Sequence, residues 1–362
     1  MSEKVKNIII TIVFLIIIII PFFINIIKKD TQISISERRK LEQFPEFTIS
    51  KLFDGTFFEK FEKYTMDQFW KREEFRKIKV NTELKVLNKK DYNNLYEYNG
   101  YLIEQIYPIN EKSILNITNK INQIKEKYLT EDNNIYYSII PDKNYFVDNG
   151  NLKIDYEKLE KEMNENLQFG KCINIFDILK LDDYYKTDSH WKQENLINVA
   201  KKIGQEMNIE LQQQYEEKTI TEFNGVYSGR LAISNEKDKI KVLTNSILEN
   251  CKVYNYEKEE YTSIYNMDKI NSVDKYDIYL SGSVPLISIE NPQNENGKEL
   301  IVFRDSYASS LIPLLIEGYS KITLIDTRYI SSQILDKYVE FSNQDILFVY
   351  STLLINNSTT LK

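Results

Sequence analysis

His190 is the only histidine in the 362 residues, so any imidazole chemistry must pass through it. It stands in Tyr184-Tyr185-Lys186-Thr187-Asp188-Ser189-His190-Trp191, with a carboxylate two positions upstream. An aspartate so placed, in a loop entering a helix, can accept a hydrogen bond from the imidazole Nδ1–H. That fixes the tautomer and leaves Nε2 as a general base. A second segment, Leu300-Ile301-Val302-Phe303-Arg304-Asp305-Ser306-Tyr307-Ala308, supplies a hydroxyl for that base to activate. There an apolar strand runs into a short polar turn before a helix, which puts Ser306 at the carboxyl end of a strand and near free helix N–H groups. Such groups stabilise a developing oxyanion. Asp188, His190 and Ser306 are therefore the candidate triad. Each piece also has a plainer use: Thr187, Asp188 or Ser189 can cap the next helix, and Asp305 or Ser306 the helix after the strand. Asp305 is a second candidate carboxylate, but it would have to fold back across the nucleophile to reach Nδ1.

Other chemistries lack their residues. With one His and two Cys, Cys172 and Cys251, a zinc site built from those ligands is nearly excluded. No metal and no cofactor is expected. Whether the two cysteines pair is open. Forty-seven basic against 54 acidic side chains leave a net charge of -7, which gives no reason to expect a nucleic-acid or anionic-lipid partner. The 26 tyrosines accompany a general richness in Asn, Lys and Ile and are not by themselves a carbohydrate-binding signature.

The elements that must carry the triad are legible as periodicities. Ile8 to Ile27 is an uncharged run, which as a helix spans roughly 30 Å, the thickness of a bilayer core. No Ala-x-Ala cleavage site follows it, so an uncleaved anchor is favoured over a signal peptide, with residues 1–30 as the transmembrane segment. Lysines flank both ends, so charge does not orient it. Residues 31–50 read as a polar, extended linker, and 51–362 as the main domain. Amphipathic helices are expected over 51–90 and from Ser113 to Tyr128, and a helical face from Leu196 to Met207. Strands are expected at Ile135–Ile140, Tyr276–Leu280, Leu300–Phe303, Lys321–Ile325 and Ile346–Tyr350, with a helix over 308–317. Strands alternating with helices predict an α/β layered domain with a largely parallel sheet. Residues 208–275, polar and poorly periodic, are expected to form an insertion.

The two chemical segments resemble the DHHW proteins, which belong with the SGNH-hydrolase-like alginate O-acetyltransferases (the AlgJ and AlgX group). Further matching stretches are Phe44-Pro45-Glu46-Phe47 with Asp54-Gly55, Asp67-Gln68-Phe69 and Arg72; Phe223-Asn224-Gly225 with Tyr227-Ser228; Tyr276 to Ser283; and Arg304 through Asp326-Thr327-Arg328-Tyr329. As in that family, the Asp-x-His pair precedes the Ser. The resemblance implies an SGNH-hydrolase-like three-layer domain behind an N-terminal transmembrane helix. It also implies an extracytoplasmic serine acyltransferase or esterase that O-acetylates or deacetylates a polysaccharide, with a membrane acyl-donor protein as a further partner. Two positions depart from the pattern. Ser189 replaces a His, and Ser283 stands where an oxyanion-hole Asn is expected, with Gly282 as its neighbour in that hole. The second departure motivates an alternative, a catalytically inactive glycan-binding or assembly protein on the same fold.

Overall fold

A run such as Ile346-Leu347-Phe348-Val349 has no polar alternation, and a strand of that composition is stable only when both faces are covered. The computed structural model describes residues 2–211, 214–233 and 236–362 and puts such runs at the centre of an eight-stranded sheet. The strand order is Glu260–Thr262, Lys252–Asn255, Leu286–Glu290, Lys321–Ile325, Glu299–Arg304, Asp345–Ser351, Ile135–Ile140 and Lys171–Cys172. The five strands from Lys321–Ile325 to Lys171–Cys172 run parallel. Leu286–Glu290 pairs antiparallel with Lys321–Ile325.

The period of two along each strand divides the core into two layers. Leu300 and Val302 join Leu347 and Val349 on one face, where the helix Ile197–Glu206 contributes Val199, Ala200 and Ile203. Ile301 and Phe303 join Ile346 and Phe348 on the other, under Ile114, Ile117, Ile121 and Ile124 of the helix Glu111–Tyr128. Each fully buried Leu, Ile or Phe stabilises this arrangement by about 1.5–3 kcal/mol. The result is a rigid α/β layered fold whose carboxyl strand ends hold loops in fixed positions.

The chain divides into two units. One is Met1–Tyr92 with Ser228–Ser234, the other Asn93–Tyr227 with Asn235–Lys362. The first contains a helix over Glu3–Ile27 that is long and apolar enough to cross a membrane and that buries none of its residues. It also holds the helices Ile49–Phe53, Thr56–Asp67 and Arg72–Asn81. Residues 31–50 are not merely extended: Ile33–Ser34 pairs with Arg39–Lys40, and Arg39 grips Asp67 through two bonds of 2.8 and 2.6 Å. Charge pairing at a distance of 28 residues leaves no local periodicity to read.

Other elements also departed from expectation. Tyr276–Leu280 is not a strand. Asp274 caps a 3-10 turn over Lys275–Ile278 by accepting the Tyr276 N–H, and Leu280, Ser281 and Gly282 then take φ of 52°, 64° and 79°. The region 208–275 is only partly an insertion. Glu216–Phe223 and Asp238–Thr244 form a separate hairpin, but Lys252–Asn255 extends the main sheet by pairing with Leu286–Glu290. After Ser306 the α-helix lasts only from Ala308 to Leu311 and tightens to a 3-10 helix over Ile312–Gly318, where Pro313 lacks the N–H that an α-helix would use.

Candidate active site

Ser306 follows the Glu299–Arg304 strand and precedes the helix at Ala308. Its turn is tied down by Asp305. Oδ1 accepts the Tyr307 N–H at 3.0 Å, while Oδ2 accepts the Ser351 N–H at 2.8 Å and the Ser351 hydroxyl at 2.6 Å. Asp305 is thereby committed to the end of the neighbouring strand and not to the imidazole. Ser306 itself is partly exposed, open to an incoming molecule. Among the described residues its N–H makes no hydrogen bond.

The Asp188 segment is a narrow turn: Tyr184 and Trp191 bridge antiparallel, and the Tyr185 N–H donates to the His190 carbonyl at 3.0 Å. Asp188 is fully buried. Its Oδ1 lies 2.6 Å from His190 Nδ1 and accepts the His190 N–H at 3.2 Å, and its Oδ2 accepts the Val226 N–H at 2.9 Å. His190 Nε2 lies 2.9 Å from Ser306 Oγ. With the Nδ1 proton held by the carboxylate, Nε2 presents its lone pair to the hydroxyl proton. The three predicted side chains thus stand in one hydrogen-bonded row, although 116 residues separate the last two.

Several residues that position this row were not singled out from the sequence. Asp238 accepts the N–H groups of Lys186 and Thr187 at 2.9 and 2.7 Å and the Thr187 hydroxyl at 2.6 Å. Thr187 Oγ1 in turn accepts the Gly225 N–H at 2.8 Å. This explains Phe223-Asn224-Gly225. A Cβ at position 225 would sit 2.3 Å from the Thr187 carbonyl oxygen, so only glycine lets this backbone close on the aspartate loop.

Aromatic rings fix the imidazole plane. Tyr276 stacks on it at 3.8 Å and 11°, and Tyr307 leans against it at 4.8 Å and 50°. The Tyr276 hydroxyl bonds Ser310 Oγ at 2.7 Å, the Tyr307 hydroxyl donates to the Ser189 carbonyl at 2.7 Å, and Trp191 Nε1–H donates to the Tyr307 carbonyl at 2.9 Å. Burial raises the pKa of both tyrosines, which keeps the rings neutral beside the imidazole. Lys143 is buried too. Its Nζ donates to the Tyr185 carbonyl at 3.0 Å and stands 4.9 Å over the Tyr227 ring. Burial holds its pKa down to about 7, against the pull of Asp188, Asp238 and Glu104.

The expected oxyanion pair, Gly282 and Ser283, follows the Lys275–Ile278 turn. Gly282 donates its N–H to the Tyr279 carbonyl at 3.1 Å, and its carbonyl accepts Arg304 Nη2–H at 3.1 Å. Ser283 is exposed. An oxyanion role for Gly282 would require sharing a bond already made within its turn. Among the described residues there is no cluster of His, Cys, Asp and Glu able to hold a metal. Cys172 is exposed and Cys251 buried, and they are not bonded. A cleft of about 410 Å³ opens at the amino ends of the parallel strands, lined by Lys298, Glu299, Lys321 and Tyr338, and contains none of the three triad residues.

The sequence profile of the DHHW protein matches residues 147–325, a span that holds Asp188, His190 and Ser306. No curated protein sequence matches. Among solved structures, a DHHW family protein from Eubacterium siraeum is similar at 19% identity and a TM-score of 0.59, covering 75% of this chain and 94% of that one. Bacillus cereus PatB1 bearing a sulfonyl adduct is similar at 18% identity and 0.57, covering 72% and 95%. The O-acetyltransferase domain of Pseudomonas putida AlgJ gives 7% and 0.44, covering 72% and 90%. At these identities the first two likenesses establish the shared fold. Over residues 147–325 the chain is thus similar to the DHHW protein family, and it shares the fold of the first two structures.

Proposed function

We propose that the protein is a serine-dependent acyl-transfer enzyme acting on polysaccharide hydroxyls outside the membrane that Glu3–Ile27 crosses. One observation carries the reading: the Asp188–His190–Ser306 row, with links of 2.6 and 2.9 Å. Ser306 Oγ attacks an acyl carbonyl as its proton passes to His190 Nε2, and Asp188 stabilises the resulting imidazolium. The oxyanion, received by the unengaged Ser306 N–H, collapses and expels the donor's alkoxide or thiolate, which takes the proton from Nε2. A sugar hydroxyl then gives its proton to Nε2, attacks the ester and leaves acylated, and Ser306 recovers its proton. With water in place of the sugar the same steps give an esterase. A membrane acyl-donor protein is the partner this reading implies. The likeness in fold supports it: the structure of Bacillus cereus PatB1 carries a sulfonyl adduct.

A sulfonyl fluoride or fluorophosphonate probe tests the nucleophile. Labelling of the wild type but not of Ser306→Ala is the expected result. The commitment of the Gly282 N–H to Tyr279, with Ser283 beside it, favours a second reading in which the fold binds glycan without turnover. Absent labelling with retained glycan binding would select that one. Protease added to intact cells tests the side of the membrane and is expected to cut the part beyond residue 30.

A further inference from the structure

The segment that follows the membrane helix carries an apolar surface that no part of the described chain covers. Phe44, Phe47, Ile49, Phe53 and Phe58 are 59, 61, 70, 85 and 58% exposed. Phe44, Phe47 and Phe58 are not scattered: Phe44 packs edge-on against Phe61 and Tyr64 at 5.9 and 5.3 Å, Phe47 against Phe57 at 5.4 Å, and Phe57 meets Phe58 at 5.8 Å and stacks on Phe61 at 6.0 Å. A contiguous exposed patch of this kind marks an interaction surface. The other side of the Thr56–Asp67 helix is polar, with Glu59 and Lys63 paired at 2.7 Å. The helix is therefore amphipathic, with Phe on one face and an ion pair on the other.

What covers the patch is indicated by where it is fastened. The Trp70 N–H donates to Asn25 Oδ1 at 2.7 Å, Lys28 Nζ to the Gln68 carbonyl at 3.0 Å, and the Tyr64 hydroxyl to Asp30 Oδ1 at 3.1 Å. Gln68 also exchanges two bonds of 2.9 Å with the Thr31 backbone. These bonds lock the end of the Phe-bearing helix to residues 25–31, where the apolar run of Glu3–Ile27 gives way to Lys28, Lys29 and Asp30. That is the level at which a spanning helix leaves the hydrocarbon, and it is where aromatic side chains and amphipathic helices partition.

We propose that the Phe44–Phe61 surface is a second membrane contact, lying in the headgroup boundary of the bilayer that Glu3–Ile27 crosses. This rests on the reading of that helix as a membrane span. Its consequence is that the first unit is held by the lipid surface at two places and does not swing on a single tether.

The test uses the full chain in vesicles of phosphatidylcholine and phosphatidylglycerol. With Cys172→Ser removing the exposed thiol and Cys251 left buried, a nitrobenzoxadiazole probe is attached at Phe53→Cys, Phe58→Cys, Glu59→Cys or Phe14→Cys. Nitroxide-labelled lipids are the quencher. Quenching several-fold stronger at positions 53 and 58 than at 59 is expected, with strong quenching at 14. Positions 53 and 58 no better quenched than 59, with 14 still quenched, would overturn the second contact while leaving the span intact. An unquenched probe at 14 would remove the span and the proposal with it. If the signals at 53 and 58 followed protein density and not quencher lipid, a second copy of the chain would be the occupant and the lipid assignment would fall.

Discussion

Around His190, the rings of Tyr276, Tyr307 and Trp191 are 2, 3 and 0% exposed, and each also places a polar atom on a named partner. Between Phe44 and Phe61 the rings touch mainly one another, and Phe44, Phe58 and Phe61 remain 59, 58 and 38% exposed. Both clusters use the same means, edge and face ring contacts, at 3.8 to 5.7 Å around His190 and 5.3 to 6.0 Å between Phe44 and Phe61. What differs is the environment. In the first, packing from every side and a hydrogen bond at the ring's edge hold the imidazole in one orientation. In the second, nothing in the described chain closes the surface, so its rings are available to an outside phase. An aromatic cluster thus serves positioning or contact according to what lies behind it.

The sharpest way to break the comparison lies in the row that the buried rings serve. Ser306→Ala is expected to abolish probe labelling and to cut turnover by up to about 10⁶-fold, and Asp188→Asn by about 10⁴-fold, with thermal unfolding little changed. A variant still labelled at wild-type rate would remove Ser306 from the chemistry.

Tyr276→Ala comes next, because it removes the stacked ring and leaves a hole beside the imidazole. A loss of about 3–5 kcal/mol in denaturant stability is expected. Tyr276→Phe keeps the ring and loses only the hydroxyl's bonds to Ser310 Oγ and the Tyr307 carbonyl, and should cost about 1–2 kcal/mol. Equal effects of the two would show that the hydroxyl, not the stacking, matters.

Lys143 offers a test by pH. Its pKa falls from 10.5 to about 7 on burial, so between those values the unfolded chain holds a proton that the folded protein lacks. Stability contributed by this group therefore rises with pH across that window, and below it the full cost of burying the charge applies. Urea midpoints measured from pH 7 to 9 should climb in the wild type and climb less in Lys143→Met. The buried Cys251 thiol, pushed up to about 12 from 9, acts with the opposite sign only above that range.

The smallest effect is expected in the exposed cluster. Phe58→Ser should leave unfolding within about 0.5 kcal/mol of wild type and leave Ser306 labelling intact. A large loss would mean that this ring supports the fold and would erase the contrast with Tyr276.

Much of this was legible before any coordinates. Ile135–Ile140 and Lys321–Ile325 are strands as their apolar runs suggest, because a buried parallel strand must be apolar on both faces. The lone histidine, its neighbouring aspartate and a serine after a strand were legible from residue type and order. Tyr276–Leu280 misled because its aromatic and aliphatic side chains suit a strand, while the Asp274 cap and three left-handed residues that bend it are not a periodicity.

Local pattern, then, decided most of the strands and helices, where a helix long and apolar enough to cross a membrane lies, and which side chains are chemically competent. Only tertiary structure decided that His190 meets Ser306, that Asp305 turns to Ser351 instead, and that Asp238, Gly225, Tyr276 and Lys143 hold the row in place. The physical reason is range. Helix and strand formation depend on neighbours within a few residues, whereas a proton relay depends on loops that meet only when a sheet brings their strand ends together.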